Sequence, residues 1–300
     1  MTDSLVLIRE EYADLKSRCA QDCRSAATGE AIRDLTLTCM RFLASKCAPV
    51  DLVSHVPGKR YVSFARRDAP GTLSRPANCA LFIADAETVA GHWRAWLDGR
   101  ITQADFRRMS YTVALAPCLA MELFDRQNKK GPATYFECFI GHIFAKALGV
   151  NPQKNVALRV QGRSVRLTMD YLFDMRNKGS SPNGPTGVRI HLPVKMSTRE
   201  RVVQAWAHQR ILDCAYGEGA FKGIMVLFSE TKLDSRSHEV VEICVPDQWL
   251  TYQSLLSRMV RIYYFDVPAR YQTLADAYPG IITIKQFGEF FTEKESVLRA

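Results

Sequence analysis

Val165-Arg166-Leu167-Thr168-Met169 alternates apolar and polar side chains and runs into Asp170. After Asn177-Lys178-Gly179-Ser180-Ser181-Pro182-Asn183-Gly184, the alternation returns in Gly187-Val188-Arg189-Ile190-His191-Leu192 and leads to Lys195. A period of two predicts strands, and the Gly/Ser/Asn/Pro cluster between them predicts a loop. Next comes Lys195-Met196-Ser197-Thr198-Arg199-Glu200-Arg201, followed by a helical pattern to about Cys214. Ser197 or Thr198 suits the N-cap, and Glu200 stands at capping-box distance from Ser197. Asp170 and Lys195 lie 195 − 170 = 25 residues apart. A hairpin with a long loop brings that carboxylate and ammonium together at one end of a sheet.

Upstream the texture is helical. Leu5, Ile8, Tyr12, Leu15 and Cys19 recur at three-to-four spacing, and a second run spans Ile32 to Phe42. Residues 49–80 carry Pro49, Pro57, Pro70 and Pro76, which exclude a long helix there. Their cations (Lys59, Arg60, Arg66, Arg67, Arg75) form either a stretch that meets a polyanion backbone or a solvated loop. Helices are expected again at Ala86–Trp96, at Ala104–Phe124 and, after a turn at 128–132, from Ala133 to Leu148 with Gly149 as C-cap. Further strands are expected at Val156–Val160, Ile224–Phe228 and Val240–Val245. The polar Ser229-Glu230-Thr231-Lys232 reads as a strand tip, either capped or available for a further contact. Met259–Asp266 reads as core or as a dimer surface. The fold class is therefore α/β, a mixed central sheet flanked by helices with a helical N-terminal part.

Composition bounds the function. The 300 residues carry 40 Lys+Arg against 31 Asp+Glu, a formal +9, with 47% apolar and 24% charged residues. That is globular, not disordered, collagenous or coiled-coil. The positive balance suits a polyanionic partner without identifying one. No uncharged apolar stretch of about 18 residues is present, so no membrane span is expected. Met1-Thr2-Asp3-Ser4 has no basic start, so no signal peptide is expected. The nine Cys form no C-x-x-C pair, which argues against a zinc ribbon and for a reducing cytoplasm.

On spacing alone, Asp170 and Lys195 make either an ordinary ion pair or the core of a phosphodiester hydrolase. In the second case the carboxylate holds a hard divalent cation and the Lys offsets charge on the phosphate. Arg199 and Arg201 are not explained by capping, because cations are mildly unfavourable in a first helical turn. Arg pairs bidentately with guanine and Glu accepts from cytosine N4, so this triplet suits C·G pairs.

Asp170, Lys195 and Arg199-Glu200-Arg201 together resemble the EcoRII catalytic domain and its relatives, type II restriction endonucleases of the PD-(D/E)XK class that cut CCGG, CCNGG or CCWGG. The resemblance covers roughly residues 130–270. It implies Asp170 as metal-binding carboxylate, Lys195 as catalytic lysine, and Arg199, Glu200 and Arg201 as readers of a CC…GG core. It also implies Mg²⁺, double-stranded DNA as substrate, a homodimer on a palindromic site, a bacterial cytoplasmic setting and a cognate DNA methyltransferase in the same system. Glu137, in Tyr135-Phe136-Glu137-Cys138-Phe139, is the best match for a second metal-site carboxylate on an upstream helix. Residues 1–130 are then a mainly helical region for DNA contacts or dimerisation, packed on the core, and 131–300 the catalytic and recognition core.

The chain departs from that pattern in two places. Relatives carry a catalytic Glu thirteen residues beyond the Lys. Here position 208 is His208, leaving its imidazole, or the amides of Gln204 and Gln209, to take that place. The first position of the S-x-K pattern is Pro193. The alternatives are a DNA-binding protein without catalysis and a nuclease of loose specificity.

Overall fold

The computed structural model describes residues 2–124, 130–176, 187–197 and 202–299. Its elements, in chain order, begin with α1 (Thr2–Asp22), α2 (Ala26–Lys46), β1 (Cys47–Ser54), β2 (Tyr61–Arg66), β3 (Ala69–Leu73), β4 (Ala77–Asn78), α3 (Ala86–Leu97), α4 (Gln103–Phe124) and α5 (Lys130–Leu148). Then follow β5 (Gln153–Val160), β6 (Arg163–Asp174), β7 (Arg189–Leu192), β8 (Val194–Lys195), α6 (Val203–Tyr216), β9 (Lys222–Leu227), β10 (Thr231–Asp234) and β11 (Glu239–Glu242). The chain closes with α7 (Pro246–Thr251), β12 (Met259–Tyr264), α8 (Ala269–Ala277), β13 (Ile284–Gln286) and α9 (Phe290–Arg299). No described helix is long and apolar enough to cross a membrane.

Two compact units result, residues 1–142 with 230–243, and residues 143–229 with 244–300. Besides its helices, the first unit holds strands. It holds a sheet ordered β10-β11-β1-β2-β3, with β4 on β2. Residues 49–80 are therefore strands where a loop or backbone-contacting stretch was expected. Their cations are largely committed within the protein: Arg66 pairs with Asp68 at 2.6 Å, Lys59 with Glu242 at 3.5 Å, and Arg75 with Glu122. Glu122 also accepts the Arg75 backbone N–H at 2.9 Å, so that arginine ties the strand segment to α4.

α4 is buried on all sides through its middle, as expected of a helix without a polar stripe. Pro117 sits inside it and lacks the N–H that would reach the Val113 carbonyl one turn back. The buried Tyr135 hydroxyl, from α5, donates to that carbonyl at 2.8 Å and so replaces the missing bond. α5 ends as expected at Gly149, whose φ of 69° needs no Cβ to be displaced.

The second unit holds a seven-stranded mixed sheet ordered β13-β12-β9-β7-β6-β5, with β8 on β9. β5, β6 and β7 are antiparallel neighbours, whereas β7, β8 and β12 each run parallel to β9. Its core is aromatic and aliphatic: Trp206, Met225, Leu227, Trp249, Ile262 and Tyr264 pack in one cluster. Met259–Tyr264 is thus an interior strand, which settles the reading of that segment in favour of core. α9 is fastened to the sheet by Glu293, which accepts from Arg261 Nε at 2.9 Å, from Tyr263 Oη at 2.7 Å and from Lys285 Nζ at 2.9 Å.

Candidate active site

The second unit brings the sequence-separated pair together. Tyr171↔Leu192 is the last pair of the β6–β7 ladder, and the next residue after Leu192 is Pro193. Proline has no N–H to continue a ladder. The following amide, Val194 N–H, donates instead to Asp170 Oδ2 at 2.9 Å. Lys195, one residue on, places Nζ 2.8 Å from Oδ2 and 3.1 Å from Oδ1 of the same carboxylate. Pro193 thus helps convert a strand end into a carboxylate–ammonium pair. The pair is neither sealed nor loose: the side chains are 28% and 20% exposed for Lys195 and Asp170 respectively. Asp174 is not part of it, since Arg176 holds that carboxylate through Nε at 2.9 Å and Nη2 at 2.5 Å.

α6 supplies the other polar groups. Ala205, Trp206, Gln209 and Leu212 are its buried residues. His208, beside them, is half-buried within electrostatic reach of both Asp170 and Lys195. Burial holds its imidazole below the ordinary histidine pKa. The Asp170 charge opposes that shift and the Lys195 charge adds to it. The neutral ring is therefore the resting form near neutral pH.

Behind it lies fully buried His191, on β7, with its ring centroid 6.2 Å from that of His208. His191 Nδ1 meets Gln209 Oε1 at 3.0 Å. Gln209 Nε2 donates to Asp213 Oδ1 at 3.0 Å and to the Phe221 carbonyl at 2.8 Å, so Oε1 must accept and His191 Nδ1 must carry the hydrogen. Gly223, paired with His191 across β9, leaves the room: a Cβ there would lie 2.8 Å from Gln209 Oε1. Gln209, one of the amides considered as a stand-in for the missing helix carboxylate, is thus engaged by His191. Gln204 lies on the exposed side of α6.

The remaining sequence candidates fall elsewhere. Arg199, Glu200 and Arg201 lie outside the described residues, as do 177–186 of the expected loop. Of the helix expected from Ser197, the described residues show Val203–Tyr216, and Ser197 itself is in irregular backbone. Glu137 is half-buried on α5 in the first unit, and its charge contributes to holding the Tyr12 hydroxyl at about 12, an effect led by burial. Ser229 and Glu230 are buried rather than presented at a tip, and Thr231 opens β10.

No cluster of three His, Cys, Asp or Glu side chains able to hold a metal occurs among the described residues. Asp170 alone still fits Mg²⁺. An ionised carboxylate offers about four lone-pair directions. Lys195 and Val194 take three contacts on it, which leaves one on Oδ1. Mg²⁺ typically takes one or two protein carboxylates and keeps several waters.

No family model matches this chain, and no curated protein does. Among solved structures, the type IIP restriction endonuclease Kpn2I is similar to it with a TM-score of 0.78 over 98% of both chains, at 21% identity. The fold is restriction-endonuclease-like. A structure of the restriction endonuclease PspGI in complex with substrate DNA is also similar, with a TM-score of 0.45 and 13% identity, covering 71% of this chain and 92% of that one. Within this restriction-endonuclease-like fold, the Asp170–Lys195 pair stands where β6 leaves the β7 ladder and β8 begins.

Proposed function

We propose that this protein is a type II restriction endonuclease that hydrolyses phosphodiester bonds of double-stranded DNA with Mg²⁺. The observation that carries the reading is the Asp170–Lys195 pair, assembled from two strands across 25 residues of sequence with a neutral histidine within electrostatic reach. The whole-length likeness of fold to Kpn2I supports it.

In this reading Asp170 would hold the cation. When bound, Mg²⁺ offsets the charge that develops on the phosphate. Lys195 has three N–H donors and directs two contacts to Asp170, so one remains for a phosphate oxygen. The neutral His208 imidazole accepts a proton or orients the attacking water where relatives use a carboxylate. It is a poor Mg²⁺ ligand, because that ion prefers oxygen. Arg199, Glu200 and Arg201 read C·G pairs of a CC…GG core, and a homodimer supplies the two-fold symmetry that a palindrome demands. A cytoplasmic setting with a cognate methyltransferase follows from the same reading.

Plasmid DNA incubated with the protein and Mg²⁺ is expected to yield discrete fragments whose sequenced ends share a CC…GG core. Plasmid bound sequence-specifically but left intact in Mg²⁺ and Mn²⁺ would instead make this a DNA-binding protein. A smear of ends would make it a nuclease of loose specificity.

A further inference from the structure

β5 and β6 extend beyond the rest of their sheet as a two-stranded ribbon. They pair from Asn155↔Thr168 out to Val160↔Arg163. Gln161 and Gly162 close the tip at φ values of 47° and 79°. Two successive positive φ values define the tight hairpin turn whose twist matches that of the strands. Every residue from Arg159 to Arg166 is exposed.

Residues directly opposite in an antiparallel pair share a face. One face therefore carries Val156, Leu158 and Val160 against Leu167, Val165 and Arg163. At its base, Val156 and Leu167 pack on Met169, Leu212 and Phe221, which anchors the ribbon. The other face carries Asn155, Ala157 and Arg159 against Thr168, Arg166 and Ser164, all exposed.

The charge is one-sided. Lys154, Arg159, Arg163 and Arg166 occur between Gln153 and Met169, and no Asp or Glu does. No salt bridge joins Arg159, Arg163 or Arg166 to a carboxylate among the described residues, in contrast to Lys59, Arg66 and Arg75. Arg159 and Arg166 occupy diagonal positions on one face, where like charges repel. Such an arrangement is unfavourable in the free protein and is relieved by a polyanion.

The ribbon also belongs to the strand that carries Asp170. At roughly 3.3 Å per residue, Arg166 lies on the order of 13 Å from Asp170 along β6, and Arg163 on the order of 23 Å. Those spans exceed the roughly 12 Å width of a DNA major groove, so they reach phosphates beyond the one at Asp170.

We infer that the β5–β6 ribbon is a DNA-backbone arm that grips the duplex beside the scissile phosphate through Arg159, Arg163 and Arg166. This rests on the DNA-cleaving reading above. Each phosphate neutralised steepens the fall of log K with log salt by about 0.9.

The test is the affinity of the full chain for a mixed-sequence duplex, measured in EDTA across a salt series. R159S/R163S/R166S is expected to lower the slope by about 2–3, the triple lysine variant to keep it, and both to keep the wild-type melting temperature. If wild type binds with a steep slope and the serine variant matches it, the arm is overturned while the nuclease reading stands. If wild type neither binds nor cuts duplex DNA, both fall. If the serine variant keeps the slope but loses a concentration-dependent dimer seen in sedimentation, the ribbon serves a second copy of this chain and the inference is wrong.

Discussion

Lys195→Ala is expected to remove cleavage while leaving binding to duplex DNA in EDTA intact, and Asp170→Asn to do the same. Loss of one preorganised group that stabilises developing charge costs about 10²–10³ in rate. Loss of the carboxylate that anchors a cation costs at least as much. The two side chains share one set of hydrogen bonds, with Lys195 Nζ on both oxygens of Asp170. Groups that act as a unit are strongly non-additive, so the double variant should be barely slower than either single one. The structural cost separates from the catalytic one. Asn at position 170 keeps an oxygen for the Val194 amide and a polar partner for Lys195, so its melting temperature should stay close to wild type. Lys195→Ala leaves a largely buried carboxylate with only the Val194 N–H among the contacts described, which costs about 1–3 kcal/mol. Single-turnover cutting, duplex affinity and thermal melting on the same preparations check all three statements. Wild-type cutting by Asp170→Asn would remove Asp170 from the mechanism.

How far this pair was legible in the sequence depends on the range of the signal. Period-two alternation ending on Asp170, and again before Lys195, is local, and it located β6 and β7. The ladder that joins them is the one the spacing implied. The sheet of the first unit was not legible. β1 pairs in parallel with β11, through Val53↔Glu239, and local periodicity carries no trace of so distant a partner. Pro49 and Pro70 lie within its strands and read as breaks, although proline is tolerated at edges and irregular positions. For the same reason residues 230–243 belong to the first compact unit, against the expected run of one core from 131 to 300. At the site, the sequence showed that His208 stands where a carboxylate was expected. It did not show that Gln209 turns inward to His191, because that depends on Gly223 leaving space across the sheet. Pro193 read as a departure from the S-x-K pattern. Its physical consequence, an end to the β6–β7 ladder that hands the next amide to Asp170, appears only once the register is known.

His191 should make the second unit acid-sensitive in a way that one substitution removes. Burial is the main cause that pushes its pKa down to about 4 from the ordinary 6.5, and the nearby His208 and Lys195 add to it. Above pH 6.5 the ring is neutral in both folded and unfolded chains, and this group contributes no pH dependence. Between 6.5 and about 4 the unfolded chain binds a proton that the folded one refuses, so stability falls with falling pH. Below about 4 both forms are protonated and the loss levels off. At roughly 1.4 kcal/mol per pH unit, the full loss is on the order of 3 kcal/mol, a large share of an ordinary domain's stability. The proton would have to settle on Nε2, because Nδ1 already donates to Gln209. His191→Asn retains a donor for Gln209 Oε1 and cannot titrate, so its stability should decline less on acidification. Urea unfolding followed by tryptophan fluorescence, with Trp206 and Trp249 buried in this core, compares the two proteins from pH 7.5 to 4. The difference between the curves is expected to open below pH 6.5, and parallel curves would show that His191 takes up its proton at an ordinary pKa.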